Sequence, residues 1–371
     1  MPDKMRNSRI ASILVHPIFL ILLIWFVAVS SRFIKNGEVY GLNYLLFQPD
    51  GALYQAFTVK LQGGTWSESA AKVNEFYESK VGIGYLGSSI DPVVQKVIFG
   101  RPLLSILSVP FVAILGQYGM LAIPVLSYLV LGLVIYAIGR SFKAEYYAVV
   151  IFLMLSLSTS VNRWMVSNLT DGLLVGLLSV ICLLLVRNNL RLYLIPLVIL
   201  ALLTRPSGPV IFAFLLPFIF ASKYQFKKVW IAISLVLSIS GTLGLALFSP
   251  ESAGTQTSGE YTVFDRISDF FVHALKVVVV EAGQLIVMDR VLFIFLLITL
   301  LVAIRTWKSP WSQSFFLVFL ITLAMGSWNG ALGVNFRYQL PVIVPASVVL
   351  LSNLDLLQRG WRKLTQTQGQ S

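Results

Sequence analysis

Residues 102–117 read PLLSILSVPFVAILGQ, and whether they cross a bilayer decides how the rest of the chain is arranged. The 371 residues are 57% hydrophobic and only 12% charged, with a mean hydropathy of +0.82. Repeated apolar runs near bilayer length mark a polytopic helical membrane protein. Such runs fall at about 10–30, 102–117, 119–139, 146–160, 172–186, 192–204, 208–222, 229–248, 291–304, 312–326 and 339–354. Of these eleven, 102–117 is short, contains Pro110 and meets the next run with no polar loop between. The basic residues settle its reading. With the N-terminus inside and 102–117 not crossing, fifteen of the 28 bases and three of the 16 acids fall inside. The whole net charge of +12 then sits on one face and the other face balances, as the positive-inside rule requires. A crossing would move RNNLR (187–191) and KYQFKK (223–228) outside and spoil that asymmetry. The run therefore reads as a helix lying on, or dipping into, the outer interface. The expected fold is an all-α polytopic membrane protein of about ten transmembrane helices, with both termini cytoplasmic.

The same count explains the charge as membrane sidedness, so nucleic acid is not expected as a partner. The single cysteine, Cys182, excludes an intramolecular disulfide or a cysteine metal cluster. Two histidines, His16 and His273, make a histidine metal site improbable. KMRNSR (4–9) precedes the first apolar run as it would in a signal peptide. That run is long for one, and Ser30-Ser31-Arg32 is a poor cleavage site, so an uncleaved anchor is expected.

This topology makes residues 1–371 one membrane-embedded domain. It leaves a long first extracytoplasmic loop at 31–118 and a second at 249–289. In the first, FQPDGALY (47–54) opens one short amphipathic segment, and Ser67 opens another, SESAAKVNEFYESKV. Both read as juxtamembrane helices with capping residues in front. Asp50 in Pro-Asp-Gly is expected to cap its helix, which leaves one carboxylate oxygen for other work. Asp171, after Thr170, has the same capping reading, with a functional one of equal weight.

Three arginines stand in short outer connections: Arg163, Arg205 and Arg337. Ionisable groups at the mouth of a bundle tend to share a cavity. Arg205 lies in a five-residue turn, TRPSG (204–208), with little room to reach water. An outward arginine also runs against the charge rule, and its planar fork suits phosphate oxygens. Arg337, before Tyr338, reads the same way, and Arg101-Pro102 more weakly. Trp66, Tyr85, Trp164 and Trp328 read as interface anchors. The sequon Asn168-Leu169-Thr170 reads as coincidence, and nothing singles out Glu281 or Asp289.

Taken together, these elements resemble the glycosyltransferase C superfamily of membrane enzymes that use polyprenyl-phosphate sugars, including the dolichyl-phosphate-mannose and aminoarabinose transferases. The resemblance rests on Asp50 with Tyr54, GRPLLSILSVPFVAILG (100–116), IYAIGRSFKAEYYAVVIFLMLSLSTS (135–160), SNLTDGLLVGLL (167–178), ALLTRPSGPV (201–210) and FRYQLPVIVP (336–345). It implies a transferase in the plasma (inner) membrane with its site on the extracytoplasmic face. The sugar would pass, with inversion, from a polyprenyl phosphate to a hydroxyl on a lipid, glycan or protein acceptor. Asp50 would be the catalytic base. Arg205 and Arg337 would hold the phosphate, and Asp171, Arg101, Tyr54 and Arg163 would line the substrate site. The resemblance makes no cofactor certain. A divalent cation near Asp50 stays open, although one carboxylate makes a poor site. The family often carries a second acid beside the first, where this chain has Gly51. A lipid or anionic-solute flippase or transporter would also account for the arginines, but no inverted repeat is visible. A polysaccharide polymerase would call for longer loops in the C-terminal half.

Overall fold

The computed structural model describes residues 16–38, 46–88, 90–187, 193–205, 207–221, 225–248, 263–328 and 336–355. Both termini lie outside these residues, as do Lys4, Arg6 and Arg9, the RNNLR turn beyond Arg187, and Asn329 to Asn335. Among the described residues 84% are helical and none lies in a strand, and with its apolar helices the protein is a helical membrane protein.

The helices in chain order are α1 (Pro17–Glu38), α2 (Pro49–Leu61), α3 (Trp66–Val81), α4 (Pro92–Phe99), α5 (Leu103–Leu115), α6 (Ala122–Ser141), α7 (Glu145–Leu157), α8 (Thr159–Val166), α9 (Thr170–Val186), α10 (Leu194–Leu202), α11 (Gly208–Ala221), α12 (Gln225–Phe248), α13 (Val263–Met288), α14 (Arg290–Arg305), α15 (Pro310–Trp328) and α16 (Ile343–Ser352). Single 3-10 segments, Gly116–Leu121 and Leu340–Val342, precede α6 and α16.

Among the described residues, three apolar stretches are long enough to cross a bilayer: Pro17–Ile34, Leu103–Ser141 and Pro310–Ser327. A fourth arises if α7 and α8, bent by 81° at Ser158, count as one broken span. Several other predicted runs form helices that are too short to cross straight. The nine residues of α10 rise only about 14 Å at 1.5 Å each, against a hydrocarbon core of about 30 Å. Large apolar side chains stand exposed on many helices, among them Phe26, Ile114, Phe220, Leu275 and Val287. Such a surface is stable against lipid and not against water.

The 39 residues of Leu103–Ser141 are not one straight rod, which would be about 58 Å long. The chain turns at Gly116, whose φ of 59° favours glycine, and the 3-10 segment comes back onto α5. A Cβ on Gly119 would lie 2.3 Å from the backbone of Phe111, eight residues earlier. The first short helix, α2, lies on α5 and the 3-10 segment after it through polar contacts. Ser105 Oγ donates to Tyr54 O at 2.8 Å, and Gln55 Nε2 donates to Gln117 Oε1 at 2.6 Å.

Helix α3 begins one residue earlier than the expected Ser67. Thr65 caps it in a reciprocal box with Glu68, and the left-handed Gly82 ends it. That exposed box holds the Glu68 carboxyl below its usual range. The expected second loop contains the 26-residue α13, while 249–262 lie outside the described residues. Its charged residues, Asp265, Arg266, Asp269, Lys276 and Glu281 among them, hid it from a hydropathy reading.

Asp289, unmarked in the sequence, is the joint of the 81° break. It is buried and caps α14 through Leu292 N at 3.2 Å. Its other oxygen accepts from Ser158 Oγ at 2.6 Å and Ser160 N at 2.8 Å. Asp289→Ala leaves these buried donors unpaired. It should cost roughly 1–3 kcal/mol, read as a lower Tm in detergent.

Candidate functional site

FQPDGALY does its work through the groups on either side of Asp50. Phe47 is fully buried, with its ring edge-on to Phe76, Tyr77 and Tyr118 at centroid distances of 4.9, 6.1 and 5.5 Å. Asn168 stitches this stretch to the segment before α9. Its backbone N–H donates to Leu46 O at 3.0 Å, and its Oδ1 accepts from Gln48 N at 2.9 Å. Its Nδ2 donates to the Tyr77 hydroxyl at 2.7 Å, which donates on to Gln48 O at 3.0 Å. The buried Tyr77 phenol is pushed well above its ordinary value by burial, so it remains a donor. Asn168 is thus a structural clamp and not an exposed sequon. Gly51 must be small here. A Cβ would lie 2.1 Å from Asn168 Oδ1, and the amide cannot yield without losing its bonds. Gly51→Ala should cost roughly 1–3 kcal/mol and move Asp50, seen as a lower Tm together with lost activity.

Asp50 is not the cap of its helix. Gln48 occupies that position and makes no side-chain cap bond, while Pro49 starts the helix. The Asp50 carboxylate instead reaches Arg337, with Nη1 to Oδ2 at 2.9 Å. Nor does Asp171 cap α9. Leu169 stands at that position without a side-chain bond, and Asp171 turns inward from the first turn. Its Oδ1 takes a short hydrogen bond from Arg205 Nη1, and its Oδ2 accepts from Arg337 Nε at 3.2 Å. An ion pair satisfied by a partner from elsewhere in the fold has overridden the local capping preference at both carboxylates.

Asp171, Arg205, Arg337 and Asp50 therefore form one chain of ion pairs from four distant segments. The two carboxylates differ in exposure: the side chain of Asp171 is 2% exposed and that of Asp50 62%. Burial alone would lower the Arg337 value, but Asp171 and Asp50 outweigh it and hold the guanidinium above its ordinary value. It is therefore charged at every working pH.

Two further contacts bring the arginines in. Leu103 N donates to Leu203 O at 3.2 Å, which ties the start of α5 to the turn holding Arg205. Phe336 N donates to the buried Glu281 Oε2 at 2.7 Å. Phe336 has a φ of 65°, a strained choice for an aromatic residue, and Glu281 holds it there next to Arg337. Glu281, unmarked in the sequence, thus positions an arginine. Arg101 hydrogen-bonds the Tyr54 hydroxyl and lies near Asp50, Asp171 and Tyr338. Burial lowers its value, and the Tyr54 and Asp50 interactions more than restore it. Arg163 lies over the Trp164 ring at 4.6 Å, and Arg337 over the same ring at 5.4 Å. Arg205 lies 5.4 Å from the Tyr338 centroid.

Six of the seven singled-out residues meet in one place, and Arg163 is linked to them through the Trp164 ring. Sequence reasoning treated Trp164 as an anchor, yet it bridges two arginines. No group of three or more histidine, cysteine or acidic residues is arranged to hold a metal ion among the described residues. Chemically, the site offers an exposed carboxylate beside a fixed array of guanidiniums, an arrangement suited to a substrate that is both anionic and hydroxyl-bearing. Compared with protein-family profiles, curated proteins and solved structures, the chain matches none.

Proposed function

We propose that the protein is a membrane glycosyltransferase that moves a sugar, with inversion, from a polyprenyl phosphate to a hydroxyl acceptor. The observation that carries this reading is Arg337, which links the exposed Asp50 to the buried Asp171 and through it to Arg205. A carboxylate beside a phosphate-matching fork suits removal of a hydroxyl proton while charge grows on a leaving phosphate. Asp50 would take the acceptor proton. Arg205 and Arg337 would share their donors between Asp171 and the departing phosphate. Arg101 with Tyr54, and Arg163 on Trp164, would complete the wall of the substrate site.

The reading keeps the topology argued from charge: about ten crossings, both termini in the cytoplasm of a plasma-membrane protein, and the site on the outer face. Short helices such as α10 would then complete their crossings through the flanking turns. The resemblance to the glycosyltransferase C superfamily supports the same chemistry. The acceptor class is a lipid, glycan or protein hydroxyl, and a divalent ion beside Asp50 stays open.

The test uses purified protein in lipid with a panel of polyprenyl-phosphate sugars and hydroxyl acceptors. Acceptor-dependent release of free polyprenyl phosphate supports transfer. Movement of the intact sugar lipid across the bilayer without release would replace the transferase with a flippase.

A further inference from the structure

One arginine is left out of the ion-pair chain. Arg32 lies near the C-terminal end of α1, and its Nε and Nη2 are buried with no hydrogen-bond partner among the described residues. These two nitrogens form the side-on edge of a guanidinium, the edge that grips both oxygens of a carboxylate or phosphate. An arginine that only serves the membrane interface turns its head outward. On α1 the next two residues, Phe33 and Ile34, are the exposed ones, while this edge of Arg32 is enclosed by protein.

The group beside it is polar and also unsatisfied. Ala28 stands one turn before Arg32 on the same face of α1, is buried, and accepts from Asn162 Nδ2 of α8 through its carbonyl at 3.3 Å. The other end of that amide, Asn162 Oδ1, is buried with no partner among the described residues. The seam between α1 and α8 thus offers a two-nitrogen edge for an anion and, about a turn away, an acceptor for a hydroxyl. Buried charges and buried amides are costly to leave unmatched, so both call for a partner that the chain itself does not supply.

The seam adjoins the substrate site. Arg163, in the wall of that site, is close enough for its charge to reach Arg32, and it keeps contacts of its own and is not needed as a ligand. Arg337 lies over the same Trp164 ring as Arg163, so the way from the phosphate-holding arginine to the seam runs along that ring. Charge decides what arrives there. Asp50 and Asp171 balance Arg205 and Arg337. The single charge of the donor phosphate belongs beside those arginines, and a neutral sugar brings no further charge to Arg32. We infer that the transferred sugar is an acid, whose carboxylate sits on the Nε and Nη2 edge of Arg32 while a neighbouring hydroxyl donates to Asn162 Oδ1. The inference rests on the proposed sugar transfer and names its substrate class, a hexuronate in place of a neutral hexose.

Purified protein in phosphatidylcholine is titrated with polyprenyl-phosphate hexoses and the matching hexuronates of the gluco, galacto and manno series, while Tm is followed. Each pair differs only in one exocyclic group, a hydroxymethyl against a carboxylate. One hexuronate should bind about tenfold or more tightly than its neutral partner. In Arg32→Gln that preference should disappear. Asn162→Asp should abolish it too, by placing a carboxylate of the chain beside Arg32, and its ligand-free Tm should hold or rise because the buried charge gains a partner. No preference in any pair overturns the assignment, and so does a preference that survives in both variants. A Tm rise with phosphatidylglycerol that Arg32→Gln removes, without any preference among the sugars, gives the arginine to a lipid headgroup and also overturns it. A preference that both variants abolish, with no polyprenyl phosphate released from any donor, keeps the acidic-sugar site and removes only the transfer reading.

Discussion

Asp50→Asn will lose at least about a hundredfold of sugar transfer while the protein stays folded. The carboxylate is 62% exposed, so it does not support the core, and the amide can still accept from Arg337 through its carbonyl oxygen. An exposed ion pair of this kind is worth no more than about 1 kcal/mol. Tm should therefore barely move while release of polyprenyl phosphate stops. Under the proposed function, what the substitution removes is the capacity to take a proton from the acceptor, since an amide is no base at working pH. Substrate titration separates the roles: kcat should collapse while the donor concentration at half-saturation changes little. Full release by the variant would reduce Asp50 to a tether for Arg337 and end its assignment as the base.

Asp171→Asn will do the opposite: it will unfold the protein at lower temperature before any question of catalysis arises. Asp171 is 2% exposed and pairs with both Arg205 and Arg337. Removing one member of a buried ion cluster leaves uncompensated charge and costs roughly 3–5 kcal/mol. The double variant Asp171→Asn with Arg205→Gln should recover part of that loss, because the orphaned cation goes with its partner. An unchanged Tm in the single variant would mean that water or lipid already screens the cluster. The same ion-pair chain thus holds one carboxylate that is structural and one that is free to react, and their exposure separates the two roles.

Several elements of this arrangement are visible in residue order. The fold class follows from hydropathy, because a membrane admits only helices or closed barrels and the runs are too long and too uniform for strands. Five of the seven candidate residues follow from sidedness: Arg163, Arg205 and Arg337 in short turns that break the charge rule, and Asp50 and Asp171 at the start of apolar helices; Arg101 is a weaker signal, and Tyr54 comes only from the family resemblance. The short helices around FQPDGALY and Ser67 also announce themselves. Helix α13 does not, because it mixes charges into an apolar pattern. Nor does the role of Asp289 or Glu281, since each acts on a backbone group more than fifty residues away.

What residue order determined, then, is that this chain is helical, belongs in a membrane, and carries a set of arginines in short connections with two acids among them. Tertiary structure alone decided what those acids do. Both occupied helix starts where local chemistry predicts capping, and both turned instead to arginines far along the chain: Asp50 to a residue 287 positions away, and Asp171 to residues 34 and 166 positions away. A cap is a local bond whose gain is readable from the neighbouring residues. A buried guanidinium, by contrast, needs a counter-charge wherever the fold brings one, and its desolvation cost outweighs the cap.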